Sequence, residues 1–250
     1  SSIFFHLTET GRFSVEEFDF EGEGATIPVT VYSTSSSRTR QAVSRTQTIM
    51  RELESTYGQY AHNKLVIYVT SSGGGMEYCG ATMTSMGALG HELTHSWFAR
   101  SVMPASGNSG WIDEAIASWR DNGYPRARSG PNRSPVNLGG FSDYRRHTTY
   151  SAYSYGATLM SEFDYLFRDQ GGLRPVLASL FAEKSNGVIS TPFFKDFLED
   201  TTGADLYRVF ERYVYGKSEA GVISFAESNA GVLVNTHPRP YTAAELKALR

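Results

Sequence analysis

Cysteine is nearly absent from the 250-residue chain, which contains only Cys79. A single cysteine cannot form an intrachain disulfide, and it cannot build a zinc site made of several cysteines. Because no histidine is tied to it by spacing, we expect Cys79 to be a small buried residue rather than a metal ligand or a nucleophile. The cysteine content leaves the cellular compartment open.

Long apolar runs and a strong net charge are also lacking. No uninterrupted apolar segment approaches the roughly 18 residues that a membrane span needs. The formal net charge is -3, and Lys and Arg are spread along the chain, so nothing indicates nucleic acid or an anionic membrane as a partner. The first two residues, Ser1 and Ser2, are compatible with a removed leader or an excised piece. A charged fraction of 20% favours an exported protein.

The chain contains enough apolar material for a sizeable core, at 40% of residues, with 13% aromatic. Alternating polar and apolar residues predict strands within residues 3–32, followed by a Ser-rich linker at 33–40. Apolar spacing then predicts a helix over 41–57, a buried strand at 64–70 and a β-like run at 77–84. Two helices are expected at 86–101 and 111–122, then a long loop at 125–141. Helical patterns follow at 153–169, 173–184, 191–202 and 204–216, and a loosely held tail at 235–250.

A possible metal site lies in the segment GHELTH. His91 and His95 stand four residues apart on a predicted helix, with Glu92 after the first histidine. Residues four apart on an α-helix are separated by about 40° around the axis and about 6 Å along it, so both imidazoles can reach one ion. The pattern His-Glu-x-x-His on a helix is a zinc metallopeptidase signature in which the glutamate is the general base.

A catalytic zinc keeps three protein ligands and one open position, so a further ligand is needed. Glu114, in the segment WIDEAIASW, is the candidate because the apolar face of its predicted helix would pack against the first helix. The alternative is a solvated polar face with an ordinary surface acid. Leu93, Trp97 and Phe98 make the first helix mostly apolar, and unsatisfied buried imidazoles would be costly, which favours the metal site. Asp113 could orient a histidine, but neighbours on a helix point in different directions, so we leave it out of the site.

Four segments resemble the gluzincin peptidases, in particular the aminopeptidase N family and the related glycyl aminopeptidases. HELTHSWFARSVMP carries the zinc motif, and the interval from His95 to Glu114 is that of the aminopeptidase N family. GGGMEY is similar to the Gly-x-Met-Glu-Asn exopeptidase motif, and YSYGATLMSEF to a segment with a catalytic tyrosine. FFKDFLEDTTGADLYRVFERYVYG resembles the closing helical pair of the family.

The resemblance implies an α+β fold, namely a thermolysin-like gluzincin catalytic domain with a mixed β-sheet followed by a mainly helical lobe. It implies that this domain covers residues 38–216, between a β-rich segment at 1–37 and a C-terminal segment at 217–250. The large C-terminal helical domain that encloses the site in many relatives has no counterpart here, so we expect a more open cleft if the chain is the whole protein. The oligomeric state is left open.

The resemblance also implies the chemistry. It implies a Zn²⁺ cofactor bound by His91, His95 and Glu114, with Glu92 as the general base and Tyr153 as the hydrogen-bond donor to the developing oxyanion. A zinc ion held in this way would activate a water for attack on a peptide bond.

The substrate-binding residues implied by the resemblance are Gly75, Met76 and Glu77, with the carboxylate of Glu77 facing a free α-ammonium. Two departures from the family pattern concern Tyr78, in place of Asn, and Tyr155, in place of Lys. We expect an aminopeptidase acting on peptides or proteins. The alternatives are a zinc endopeptidase with the same site and a catalytically silent relative that binds peptides. An intact Glu92 argues against the silent relative.

Overall fold

The computed structural model describes residues 9, 11–71, 73–144 and 148–218. The predicted tail at 235–250 therefore lies outside the described residues, as does most of the predicted C-terminal segment. The strands are β1 (Ser14–Glu21), β2 (Thr26–Ser33), β3 (Leu65–Val69), β4 (Gly75–Tyr78), β5 (Ala81–Thr84), β6 (Val102–Pro104) and β7 (Gly187–Ile189). The helices are α1 (Ser36–Tyr57), α2 (Leu89–Thr94), α3 (Trp111–Asp121), α4 (Ala157–Leu166), α5 (Leu173–Lys184), α6 (Thr191–Thr202) and α7 (Tyr207–Tyr213).

A five-stranded mixed sheet forms the first half of the fold, with strand order β1-β2-β3-β5-β4. β2 and β3 are parallel, as are β3 and β5, whereas β1 and β4 run antiparallel to their neighbours. Alternate residues of β2 and β3 are buried, as the period of a strand with one face on the core requires. β1 and β2 belong to this sheet, and α1 begins at Ser36. The predicted boundary after residue 37 therefore falls in the first turn of α1, and it remains a prediction.

Helix α1 connects β2 to the parallel strand β3 and packs on the sheet. The predicted linker at 33–40 is wrong in its second half, because α1 begins at Ser36 rather than at residue 41. The hydroxyl of Thr39 donates to the backbone oxygen of Ser35, and Thr39 and Ala42 are both buried on the inner face. The helix can therefore begin in a polar segment, because the small residues Thr39 and Ala42 face the sheet.

The second half of the fold is mainly helical, and α3 lies against α2 and α4. The three tryptophans of the chain, Trp97, Trp111 and Trp119, are fully buried around these helices. The predicted helices at 173–184 and 191–202 have the observed limits of α5 and α6. A mixed sheet with helices is therefore confirmed.

The helix predicted at 86–101 is much shorter, since α2 covers only Leu89–Thr94. After it the chain tightens into turns, and Ala99 adopts a φ of 130°, a backbone conformation that non-glycine residues rarely adopt. The amide of Ala99 donates to the oxygen of Val102, which directs the chain into β6. Apolar spacing alone did not predict this end, because Trp97 and Phe98 remain buried after the helix has stopped.

No helix in the described ranges has the length and apolar character needed to cross a membrane.

Candidate metal centre and active site

Helices α2 and α3 bring together His91, His95 and Glu114. One ligand atom from each of these residues lies within 4.8 Å of the others. Nε2 of His91 lies 3.0 Å from Oε2 of Glu114, and Nε2 of His95 lies 3.4 Å from the same oxygen. The two imidazole rings meet edge to face at a centroid distance of 4.8 Å. Both rings therefore direct Nε2 toward one carboxylate oxygen.

The outer nitrogen of each ring has its own acceptor. Nδ1 of His91 lies 2.8 Å from Oδ2 of Asp121, and Nδ1 of His95 lies 3.1 Å from the backbone oxygen of Phe98. Acceptors at Nδ1 hold the proton there, and they leave the Nε2 lone pair free to bind a metal. The donor set of two imidazole nitrogens and one carboxylate fits a catalytic zinc site.

Asp113 corrects the sequence-based interpretation. Its Oδ2 lies 3.5 Å from Nδ1 of His95, although it had been left out of the site because neighbouring helix residues point apart. Asp113 and Glu114 do diverge, but His95 is large enough to meet one with each ring nitrogen. Burial raises the pKa of Asp113 to about 7, against the opposing effect of His95.

The charges in the cluster support a cation site. Burial lowers the pKa of His91 and of His95, but hydrogen bonds outweigh it. Hydrogen bonds with Asp121 and Glu114 raise the pKa of His91 to about 9. A hydrogen bond with Glu114 and the charge of Asp113 raise the pKa of His95 to about 10. Burial raises the pKa of Glu114, but hydrogen bonds with the two histidines hold it far below its usual range. The metal-free cluster therefore holds positive charge against Glu114, where a divalent cation could replace the protons.

Glu92 lies beside this cluster and is buried. Its Oε2 meets no hydrogen-bond partner within the described part of the chain. Burial raises the pKa of its carboxyl to about 7, although the nearby charges of His95 and His91 lower it. A carboxyl with such a pKa and a free oxygen can accept a proton near neutral pH.

Gly75 of the edge strand β4 packs directly on this carboxyl. A Cβ added at Gly75 would lie 2.5 Å from Cδ of Glu92, which is closer than nonbonded carbons approach. The close contact explains why glycine stands here, and it fixes Glu92 against the strand. Met76, the next residue of β4, is about half exposed.

Tyr153 contacts both Glu114 and His91. It lies in a π-helical turn, Ala152–Gly156, which leads into α4. Its hydroxyl donates to Oε1 of Glu114 at 2.7 Å, and its ring stacks on His91 with a centroid distance of 5.9 Å. Gly156 permits the approach, since a Cβ there would lie 2.7 Å from Cβ of Ala115 in α3. Burial raises the pKa of Tyr153 most, and the hydrogen bond to Glu114 raises it further. The hydroxyl of Tyr153 therefore stays protonated.

Glu77 points to the same cleft but is not free. Its Oε1 accepts from Nη2 of Arg100 at 2.8 Å. Glu77 and Arg100 line a cleft of about 470 Å³ together with Asp113 and Glu114. Two residues here escaped the sequence-based analysis, Arg100 and Asp121. Asp121 follows Glu114 by seven residues, two helical turns, so spacing on α3 could have identified it.

Cys79 corrects another expectation. It is exposed rather than buried, because it lies in the turn between β4 and β5.

No protein-family model matches this chain, and no curated protein matches it. Solved structures do. An M1 zinc metallopeptidase from Deinococcus radiodurans, bound to a Tyr-Ser-Ala substrate, aligns over 83% of this chain and 53% of its own, with a TM-score of 0.66 and 16% identity. The chain has the fold of the M1 zinc aminopeptidases.

Two further structures agree with this fold. Aminopeptidase A from Legionella pneumophila aligns over 80% of this chain and 28% of its own, with a TM-score of 0.60 and 16% identity. An aminopeptidase N family protein from Idiomarina loihiensis aligns over 85% of this chain and 49% of its own, with a TM-score of 0.62 and 14% identity. The chain thus spans about half of two of these proteins and less than a third of the other.

Proposed function

We propose that this protein hydrolyses peptide bonds with a zinc ion bound by His91, His95 and Glu114, in a thermolysin-like gluzincin domain. The observation that carries the proposal is the convergence of these three side chains within 4.8 Å. They lie beside a buried glutamate, one oxygen of which has no hydrogen-bond partner among the described residues. The fold shared with M1 zinc aminopeptidases supports it. Removal of N-terminal residues is the form of the activity that this fold favours.

Each side chain then has a role that its position supports. Zinc, when bound, supplies Lewis acidity that polarises a scissile carbonyl and lowers the pKa of water. Glu92 accepts a proton from the attacking water and passes it to the leaving amine, since its pKa is near 7. The hydroxyl of Tyr153, which here donates to Glu114, would instead donate a hydrogen bond to the oxyanion. Asp121 holds His91, and the oxygen of Phe98 holds His95.

Gly75, Met76 and Glu77 are proposed substrate contacts on the edge strand β4. An exposed strand edge can pair with an extended peptide through backbone hydrogen bonds. Glu77 would recognise a free α-ammonium in an aminopeptidase. Its ion pair with Arg100 favours a second candidate, an endopeptidase with the same metal chemistry.

The test measures zinc content and hydrolysis in the same preparations. We expect about one zinc per chain, loss of hydrolysis on chelation, and recovery when zinc is restored. Glu92→Gln should keep zinc and lose on the order of 10²-fold to 10⁴-fold in kcat, because the amide keeps the shape without the basicity.

Glu183→Gln is the matched control, since Glu183 is an exposed residue of α5 and its substitution should leave activity unchanged. Hydrolysis that persists in zinc-free protein, or a Glu92→Gln variant as active as the wild type, would overturn the proposal. Zinc binding without hydrolysis of a broad peptide mixture would favour the silent relative.

A further inference from the structure

Arg100 forms an ion pair with Glu77, the residue proposed above to bind the α-ammonium of a substrate. Nη2 of Arg100 donates to Oε1 of Glu77 at 2.8 Å, and both side chains are mostly buried, with 28% and 18% exposed. Nε of Arg100 is buried and has no acceptor among the described residues. The backbone fixes this arrangement, because the amide of Arg100 donates to the oxygen of His95 at 2.9 Å. Arg100 is thus anchored to the turn that follows a proposed metal ligand.

The ion pair belongs electrostatically to the proposed active site. The negative charge of Glu77 is among the influences that raise the pKa of Glu92, His95 and Tyr153. Glu77 also lines the cleft that contains Glu114. The charge of Glu77 therefore acts on groups of the proposed active site, and Arg100 pairs with that charge.

We propose that Arg100 is a specificity-determining residue, and that its ion pair with Glu77 shifts the substrate class toward peptide segments without a free α-amine, either internal or N-blocked. The inference rests on the proposed peptidase function. A substrate ammonium would have to share the carboxylate with a guanidinium, and two cations at one carboxylate repel each other. If the ammonium displaced Arg100 instead, it would leave a mostly buried guanidinium unpaired, which is costly.

A neutral substrate avoids both costs. It leaves the ion pair intact, and the carbonyl oxygen of its acyl group or preceding residue can accept a hydrogen bond from the guanidinium. Arginine has five N–H donors in a fixed fork, and the bond to Glu77 uses one. The same pair that neutralises Glu77 thus offers a donor to a blocked or internal peptide.

The experiment compares kcat/KM for one peptide with a free amine and the same peptide N-acetylated. We expect the wild type to cleave the N-acetylated peptide at least as well as the free-amine peptide, since the carboxylate is already neutralised by Arg100. Arg100→Met should raise this selectivity ratio by at least about tenfold, because Glu77 is then free for the ammonium. Adding Glu77→Gln to Arg100→Met should cancel the gain. Arg168→Met, on an exposed turn, is the control and should leave the ratio unchanged.

Two measurements protect the inference from confounding results. Glu77→Gln alone should change the wild-type ratio by less than about threefold, and this prediction stands even if Arg100→Met fails to fold. Binding of both peptides to zinc-loaded Glu92→Gln protein, by calorimetry, reports the same ratio without turnover. Absence of hydrolysis alongside a shifted binding ratio would refute the proposed function and keep the inference. A wild type that prefers the free amine by more than about threefold, or an unchanged ratio in Arg100→Met, would overturn the inference.

Discussion

Oδ2 of Asp121 lies 2.8 Å from Nδ1 of His91, while Oε2 of Glu114 lies 3.0 Å from Nε2 of the same ring. Both acids come from α3, so one helix supplies a proposed ligand and the side chain that orients another. Arg120 extends this arrangement, because it donates to Asp121 and to Glu52 of α1. The orientation of His91 is therefore linked to α1 through the ion pair of Arg120 with Glu52.

We predict that Asp121→Asn lowers the affinity for zinc by about 10-fold to 100-fold, because an amide holds the ring of His91 less firmly than a carboxylate. The fold should be retained, since Asp121 is partly exposed at the end of α3. Competition with a chromogenic chelator measures the affinity. Asp169→Asn is the control, because Asp169 is 85% exposed. An Asp121→Asn protein that binds zinc like the wild type would show that this contact does not support the metal.

The convergence of His91, His95 and Glu114 could be predicted from sequence because its parts are local. The spacing of His91 and His95 survives the early end of α2, since His95 still donates its amide to the oxygen of His91 at 3.3 Å. Glu114 was predicted from the packing face of the next helix. Residue spacing gives the direction of side chains within one helix. This was enough to predict side chains that lie on the facing surfaces of α2 and α3.

The partners that were missed come from contacts between elements. Arg100 reaches Glu77 only because α2 stops at Thr94 and the chain turns at Ala99, and neither event has a local sequence signal. The first residues of α1, from Ser36 to residue 40, were not predicted as helix for a related reason. Its first turn is stabilised by contact with the sheet rather than by an apolar pattern of its own.

Tyr153 and Tyr155 offer a matched pair for the proposed oxyanion donor. We predict that Tyr153→Phe lowers kcat by on the order of 10²-fold with little change in KM, because the hydrogen bond forms only as charge develops. Tyr155→Phe should have a much smaller effect, since Tyr155 is about half exposed. Steady-state kinetics on one peptide decide between the two. If Tyr155→Phe has the larger effect, the catalytic tyrosine has been misassigned.

Gly75 and Gly73 test the contact between the edge strand and Glu92. In Gly75→Ala the new methyl would approach Cδ of Glu92 to 2.5 Å, so the carboxyl must move. A shift of about 1 Å in a catalytic group costs on the order of 10²-fold in rate, and we expect a loss of that size with zinc retained. Gly73→Ala is the control, because no heavy atom of the described residues lies within 4 Å of its added Cβ. Equal activities for the two variants would mean that Glu92 is not held by β4.

The affinity for zinc should depend steeply on pH. In the metal-free protein the pKa values of His91 and His95 are about 9 and about 10, so both rings are protonated at neutral pH. Binding of zinc requires neutral rings and therefore releases protons. Glu114 stays ionised throughout, because its pKa lies far below its usual range. Lowering the pH from 8 to 6 should weaken zinc binding by at least about tenfold per unit, the result of releasing one proton or more.

The sign of this dependence follows from the raised pKa values. A histidine whose pKa is raised holds its proton more firmly, so zinc competes better as the pH rises toward about 9. Chelator competition at several pH values measures the slope, after correction for the pH dependence of the chelator itself. Proton release can be counted separately by mixing metal-free protein with zinc in weak buffer containing a pH indicator. His95→Gln should bind zinc more weakly and with a shallower slope, because one titrating ligand is gone. A flat profile in the wild type would mean that the two histidines are neutral before zinc arrives, contrary to the ion pairs with Glu114.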